Sequence, residues 1–299
     1  MKKLLFIMNP YAGTRKGVKH LAEMIGIFNQ GGYEVTAFMT SGPGHCKELV
    51  AERAENVDLI VCCGGDGTLN EAIAGLRQTG AKTPVGYIPA GSTNDFAASL
   101  GLSLDLPQAA RDIMEGEALL YDAGSFGGRS FSYVASFGLF TRCSYATPQG
   151  LKNALGHTAY LLQGVTELAS LKTYHMKFQL PDGITVEDDF IFGAISNSTS
   201  VAGVLTLDPK RVDMHDGKLE LMLIRKPRNM IELAEGILAM QKQSYDSSLM
   251  TFLSTPSVIV TGPADMPWTL DGEREEGHEN VTIECVSDAY SLVVKKVKA

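Results

Sequence analysis

In the first third of the chain, short apolar runs alternate with apolar residues at helical spacing. Leu4 to Met8 is an unbroken apolar run, the pattern of a strand buried on both faces. Val18, Leu21, Ala22, Ile25 and Phe28 predict a helix over 18–28. Tyr33 to Thr40 reads as a strand, Cys46 to Ala54 as a helix, and Asp58 to Cys63 as a strand running into glycines. Thr68 to Leu76 reads as a helix, Pro84 to Ile88 as a strand, and Asn94 to Leu100 as the start of another helix. Strands alternating with helices imply βαβ units and a mainly parallel sheet. Such sheets bind ligands beyond the carboxyl ends of their strands.

The pattern changes near Tyr121. Arg129 to Gly138 alternates, with Phe131, Tyr133, Ala135 and Phe137 expected on one side. Further strands are predicted at Tyr174–Leu180, Asp189–Asn197, Leu219–Arg225, Ser257–Thr261 and Val281–Val286, with helices over Asn153–Leu171 and Met230–Lys242. The expected organisation is an α/β domain over 1–122 and a β-rich domain of antiparallel character over 123–286. The tail, 287–299, can return to the first domain. There is no internal repeat and no low-complexity linker.

Composition adds limits. A length of 299 residues suggests two domains, and 44% hydrophobic with 20% charged residues is ordinary for a globular chain. A net charge of −8 gives no long-range attraction for nucleic acid or anionic lipid. Lys295, Lys296 and Lys298 read as a solvated end. Cys46, Cys62, Cys63, Cys143 and Cys285 contain no CxxC, so reduced, mostly buried thiols in a cytoplasmic protein are expected. The apolar run at the N-terminus is shorter than the roughly 7 residues of a signal peptide. No stretch reaches the about 18 residues needed to span a bilayer. A lipid substrate would therefore be met by peripheral contact at the membrane surface. Oligomeric state is open, a homodimer among the options.

Candidate chemistry begins at Gly64-Gly65-Asp66-Gly67, where a strand feeds glycines and a helix opens near Thr68. Glycine permits positive φ and close approach, and successive N–H groups at a helix start favour an anion. A tight Asp-Gly turn is the alternative. The loop is neither a GxGxxG motif, since Asn70 stands at the last glycine, nor a GxxxxGK[ST] P-loop. Asn9-Pro10-Tyr11-Ala12-Gly13 follows the first strand, and Pro89 to Phe96 follows another. Each alone could be a structural boundary. Three on one sheet edge could surround a nucleotide.

NPYAG, GGDGTLNEAIAG and PAGSTNDFA, in that order and spacing, resemble the catalytic domain of the diacylglycerol kinase family, in its bacterial soluble branch. The resemblance covers essentially the whole chain. It implies a fold like that of NAD kinase, with a sandwich-like second domain and ATP in the cleft between domains. It implies that Asn9, Pro10, Tyr11, Ala12, Gly13, Thr40, Gly64, Gly65, Asp66, Gly67, Thr68, Leu69, Asn70 and Ser92 line the ATP site. Asp66 would act at the phosphates with Mg²⁺, and Asp95 would join the same polar network.

The second domain carries two further matches. Asp271-Gly272-Glu273 in MPWTLDGE implies that Glu273 is the general base for a lipid hydroxyl. The alternative is a hairpin turn followed by a solvated acidic run. DMHDGKL implies a structural Mg²⁺ site using the Asp216 side chain and backbone oxygens at Asp213 and Lys218, with a plain Asp-Gly turn as the rival. Two departures from the family pattern stand out. A glycine cluster usual after Asn197 is reduced to Gly203, and Ser92 replaces a usual threonine. Lys210-Arg211 reads as a solvated pair or a headgroup spot. The expected activity is an ATP- and Mg-dependent lipid kinase acting on diacylglycerol or a similar lipid. An NAD kinase and a non-catalytic nucleotide-binding protein remain as alternatives.

Overall fold

A computed structural model describes residues 1–138, 172–201, 205–229 and 248–295, with isolated positions between 230 and 247. The helix expected over 153–171 lies outside these residues, and that over 230–242 lies mostly outside. The chain divides into two compact units, Met1–Ala123 with Ser287–Ala299, and Gly124–Val286.

The first unit is built on β1 (Lys2–Met8), β2 (Tyr33–Met39), β3 (Leu59–Gly64), β4 (Val85–Pro89) and the end of β17 (Asn280–Val294). They lie in the order β2–β1–β3–β4–β17 and every pair is parallel. Helices α1 (Lys16–Gln30), α2 (His45–Arg53), α3 (Asp66–Thr79), α4 (Asp95–Ser99) and α5 (Leu106–Glu115) connect them. Leu4, Phe6 and Met8 face a core shared with Met24 and Phe28 of α1 and Ala109, Ala110 and Ile113 of α5. Leu5 and Ile7, on the other face of β1, are buried as well. A sheet covered on both faces reads as continuous apolar runs, which is why β1 and β3 show no alternation.

The second unit contains β5 (Glu117–Phe126, which begins in the first unit), β6 (Arg129–Phe131), β7 (Val134–Gly138), β8 (Tyr174–Gln179) and β9 (Thr185–Ser196). It continues with β10 (Ser200–Val201), β11 (Leu205–Thr206), β12 (Leu219–Arg225), β13 (Met250–Thr255), β14 (Ser257–Thr261), β15 (Trp268–Leu270), β16 (Glu273–Glu275) and the start of β17. The strands run in the order β16–β15–β7–β9–β8–β14–β17, with β12 joining β9 to β13. Its pairs are antiparallel. The α/β unit with a parallel sheet and the β-rich antiparallel unit are the two architectures expected from the pattern.

The alternation expected across Arg129–Gly138 does not hold. The segment splits into β6 and β7, and Ser132, Val134 and Ser136 are buried along with Phe131, Tyr133, Ala135 and Phe137. The aromatic core explains the demand for burial there. Trp268 packs between Phe126 and Phe137, with ring centroids 5.0 and 4.9 Å away, and anchors the β15–β16 hairpin.

Candidate active site

The strand order 2-1-3-4 places the switch of direction between β1 and β3. At such a point the connections leave to opposite sides and open a crevice beyond the strand ends. The chain emerges there into four loops held together by backbone bonds. The Asn9 N–H donates to Cys63 O at 2.8 Å, the Thr40 N–H to Met8 O at 2.8 Å, and the Ala90 N–H to Gly64 O at 2.7 Å. Asn9 Oδ1 accepts the Tyr11 N–H at 3.0 Å.

Glycine is required where these loops touch. A Cβ on Gly13 (φ +49) would lie 2.5 Å from Ala90 O, and one on Gly91 would lie 2.6 Å from Gly65 Cα. Asn94, itself at φ 55, holds the third loop by accepting the Gly91 N–H at 2.9 Å and donating to Gly91 O at 3.0 Å. The segments Asn9–Gly13, Gly64–Asn70 and Pro89–Asp95 are thus brought against one another, with Thr40 at the end of β2. Tyr11, Gly67 and Ser92 are exposed, whereas Thr68 and Leu69 are buried and could meet a ligand only through their main chain.

Helix α3 starts at Asp66 rather than near Thr68, because Gly65 takes the extended N-cap conformation. Neither α1 nor α3 has a side-chain cap, so their first N–H groups are not closed off by a side chain. Asp66 Oδ2 accepts the Asp95 N–H at 2.9 Å. Its Oδ1 accepts the Phe96 N–H at 3.3 Å and the Tyr87 hydroxyl at 3.3 Å. Burial, and then the charge of Asp95, push the Asp66 carboxyl above its ordinary range. Burial likewise pushes the Tyr87 phenol well up, which keeps it a donor. Tyr87 is buried on β4 and carries no motif that would mark it in the sequence. The oxygen-only, mutually repelling Asp66–Asp95 pair suits a hard divalent cation, which would relieve that repulsion.

In the second unit, Asp271 is buried and accepts the N–H groups of Ser132 (2.5 Å), Tyr133 (3.0 Å) and Val134 (2.9 Å). It sits at φ 49 with Gly272 at φ 89, a two-residue turn joining β15 to β16. Glu273 follows on the exposed side, its Oε2 accepting from Arg129 Nη2 at 2.7 Å. The hairpin turn of the alternative reading is present, but its acidic run is partly engaged by Arg129.

At the Asp213–Lys218 turn, Asp213 Oδ1 accepts the His215 N–H and Asp216 Oδ1 the Lys218 N–H, both at 3.0 Å. Among the described residues, no three His, Cys, Asp or Glu side chains are gathered as metal ligands. Glu220, absent from the sequence-based set, is buried beside this turn with Oε2 unpartnered. Burial and the charges of Asp216 and Asp213 push its carboxyl up to about 8. Lys210 and Arg211 are both exposed, in keeping with a solvated pair, and the Arg211 guanidinium also lies 4.9 Å from both the Tyr245 and Phe252 rings.

A parallel α/β unit with a glycine-lined crevice at its switch point belongs to the class of folds that hold anionic ligands, nucleotides among them, beyond their strand ends. The model of the diacylglycerol kinase catalytic domain matches residues 3–126. The chain is 32% identical to a diacylglycerol kinase of Bacillus subtilis (strain 168) over 275 residues, 91% of this chain and 90% of the relative. It is 30% identical to a diacylglycerol kinase of Staphylococcus aureus (strain bovine RF122 / ET3-1), covering 91% and 86%. A solved structure from Bacillus anthracis str. Sterne superposes with TM-score 0.82 at 22% identity, covering 98% and 95%. A diacylglycerol kinase structure from the same organism gives 0.75 at 20%, covering 98% and 97%. The chain belongs to the diacylglycerol kinase family and is a lipid kinase. Among the described residues, no helix is long and apolar enough to cross a membrane.

Proposed function

We propose that the chain transfers the γ-phosphoryl group of ATP to a hydroxyl of diacylglycerol or a similar lipid. The products are ADP and phosphatidic acid or its analogue. The observation that carries this reading is the convergence of the loops after β1, β2, β3 and β4 at the switch point. Asn9 to Gly13, Thr40, Gly64 to Asn70 and Ser92 line the ATP site. Backbone N–H groups at the starts of α1 and α3 take phosphate oxygens. Asp66 and Asp95 would hold Mg²⁺, which when bound supplies charge neutralisation at the phosphates. Tyr87 and the N–H groups of Asp95 and Phe96 fix the Asp66 carboxylate for that task.

Glu273 takes the proton of the lipid hydroxyl as its oxygen attacks the γ-phosphorus and the bridging P–O bond to ADP breaks. Asp271 does not share this chemistry. Its carboxylate is consumed by three backbone donors, so it sets the turn that presents Glu273. Asp216, with backbone oxygens at Asp213 and Lys218, would hold a second, structural Mg²⁺. The unpartnered Glu220 oxygen beside that turn fits a nearby cation. The lipid is met at the membrane surface.

Radiolabelled ATP supplied to the purified chain with dispersed diacylglycerol, or with NAD, tests the reading. Label is expected in the lipid phase, with the product identified by mass as a phosphatidic acid. Label in NAD alone would place the chain with the NAD kinases. ATP binding without transfer to any hydroxyl lipid would make it a non-catalytic nucleotide-binding protein.

A further inference from the structure

Arg129 stands at the junction of two hairpins in the second unit. Gly127 and Gly128, at φ 55 and 94, make the tight turn from β5 into β6, and Arg129 is the first residue after it, paired with Phe126. Its guanidinium forks. Nη2 donates to Glu273 Oε2 at 2.7 Å and Nη1 to Glu275 Oε2 at 2.5 Å. Glu273 and Glu275 are two residues apart on β16, so they share one face of that short strand. Among the described residues, Glu273 Oε1 makes no hydrogen bond.

We propose that Arg129 is a positioning residue for Glu273, holding one carboxylate oxygen so that the other is presented to the acceptor hydroxyl. The inference rests on the reading of Glu273 as the base. Three observations carry it. First, the fork is pinned at both ends. Asp271 binds Ser132, Tyr133 and Val134, the residues just past β6, so a buried joint ties the arginine-bearing strand to the glutamate-bearing hairpin. A side chain held by neighbours that are themselves fixed is preorganised for its task. Second, the ion pair is exposed, with side-chain accessibilities of 45% for Arg129 and 57% for Glu273. Exposed pairs contribute little to stability, so this one has a geometric consequence rather than an energetic one for folding. Third, Glu275, 17% exposed, occupies the second arm of the fork and fixes the plane of the guanidinium. Lysine, a point charge with rotatable donors, could reach one glutamate without fixing that plane.

The experiment compares Arg129→Met, Arg129→Lys, Glu273→Gln and the Met/Gln double variant in the labelled transfer assay, with thermal melts of each. Arg129→Met is expected to lower kcat by about tenfold to a hundredfold, the scale of a misoriented catalytic group. KM for ATP is expected within about twofold of the parent, and Arg129→Lys is expected to recover part of the loss. In the double variant, Arg129→Met should add nothing to the effect of Glu273→Gln, because it acts through that carboxylate. An unchanged kcat in Arg129→Met, alongside a collapsed kcat in Glu273→Gln, overturns the inference and leaves the base reading intact. Equal multiplicative losses in the single and double variants also overturn it, since Arg129 would then act independently. Full turnover in Glu273→Gln instead sinks the base reading. If Arg129→Met fails to fold, that contradicts the minor stability role, and the Lys variant still reads the kcat effect.

Discussion

At the scale of the residue, Glu220 is the most exposed to pH. It is a buried carboxyl with one oxygen unpartnered, pushed from 4.5 up to about 8 by burial and then by Asp216 and Asp213. The folded protein therefore keeps a proton there that the unfolded chain has released at any pH between those values. Its contribution to stability is fully present below the lower value and is lost as pH rises through the upper one, by at most about 1.4 kcal/mol per pH unit. Glu220→Gln removes this dependence. Urea midpoints with chelator present, at about pH 5.5 and about pH 8.5, should fall further for the parent than for the variant. Equal declines would contradict the assignment. Asp66 differs in that each of its oxygens has a protein donor, which offsets part of the burial that pushes its carboxyl up.

At the scale of the element, the strand ends do what their glycines require. Gly91→Ala would force a methyl to within 2.6 Å of Gly65 Cα and 2.7 Å of Asn94 Oδ1. Overpacking of this kind costs roughly 1–3 kcal/mol. The variant should melt several degrees lower and bind ATP more weakly, as measured by calorimetry. Gly26→Ala, with open space inside α1, should instead stabilise by about 0.5–1 kcal/mol. An unchanged ATP affinity in Gly91→Ala would detach these loops from the nucleotide. The βαβ elements were legible because buried parallel strands give unbroken apolar runs and helices give helical spacing. Helix α5 went unread although Asp105 caps it, accepting the Gln108 N–H at 2.8 Å, with Pro107 in its first turn. The burial of β7 on both faces was not legible either. Small residues such as Ser136 look polar in sequence, yet Ser136 is buried on the face of β7 opposite Phe137.

At the scale of the whole molecule, the candidate site residues are each held by partners distant in sequence. The motif letters point to Asp66, Asp95 and Glu273 as candidates, but not to the partners that hold them. Tyr87 lies 21 residues from Asp66, and Arg129 lies 144 from Glu273. Such pairings follow from topology, which a local pattern does not encode. In the proposed reaction the loops of the parallel sheet would hold ATP, and Glu273 on the β15–β16 hairpin would take the acceptor's proton. Glu273→Gln separates these tasks most directly, with ATP affinity from calorimetry set beside turnover on diacylglycerol. The account predicts turnover lowered by about 10² to 10⁴ with ATP affinity close to the parent's. Normal turnover in that variant would contradict it.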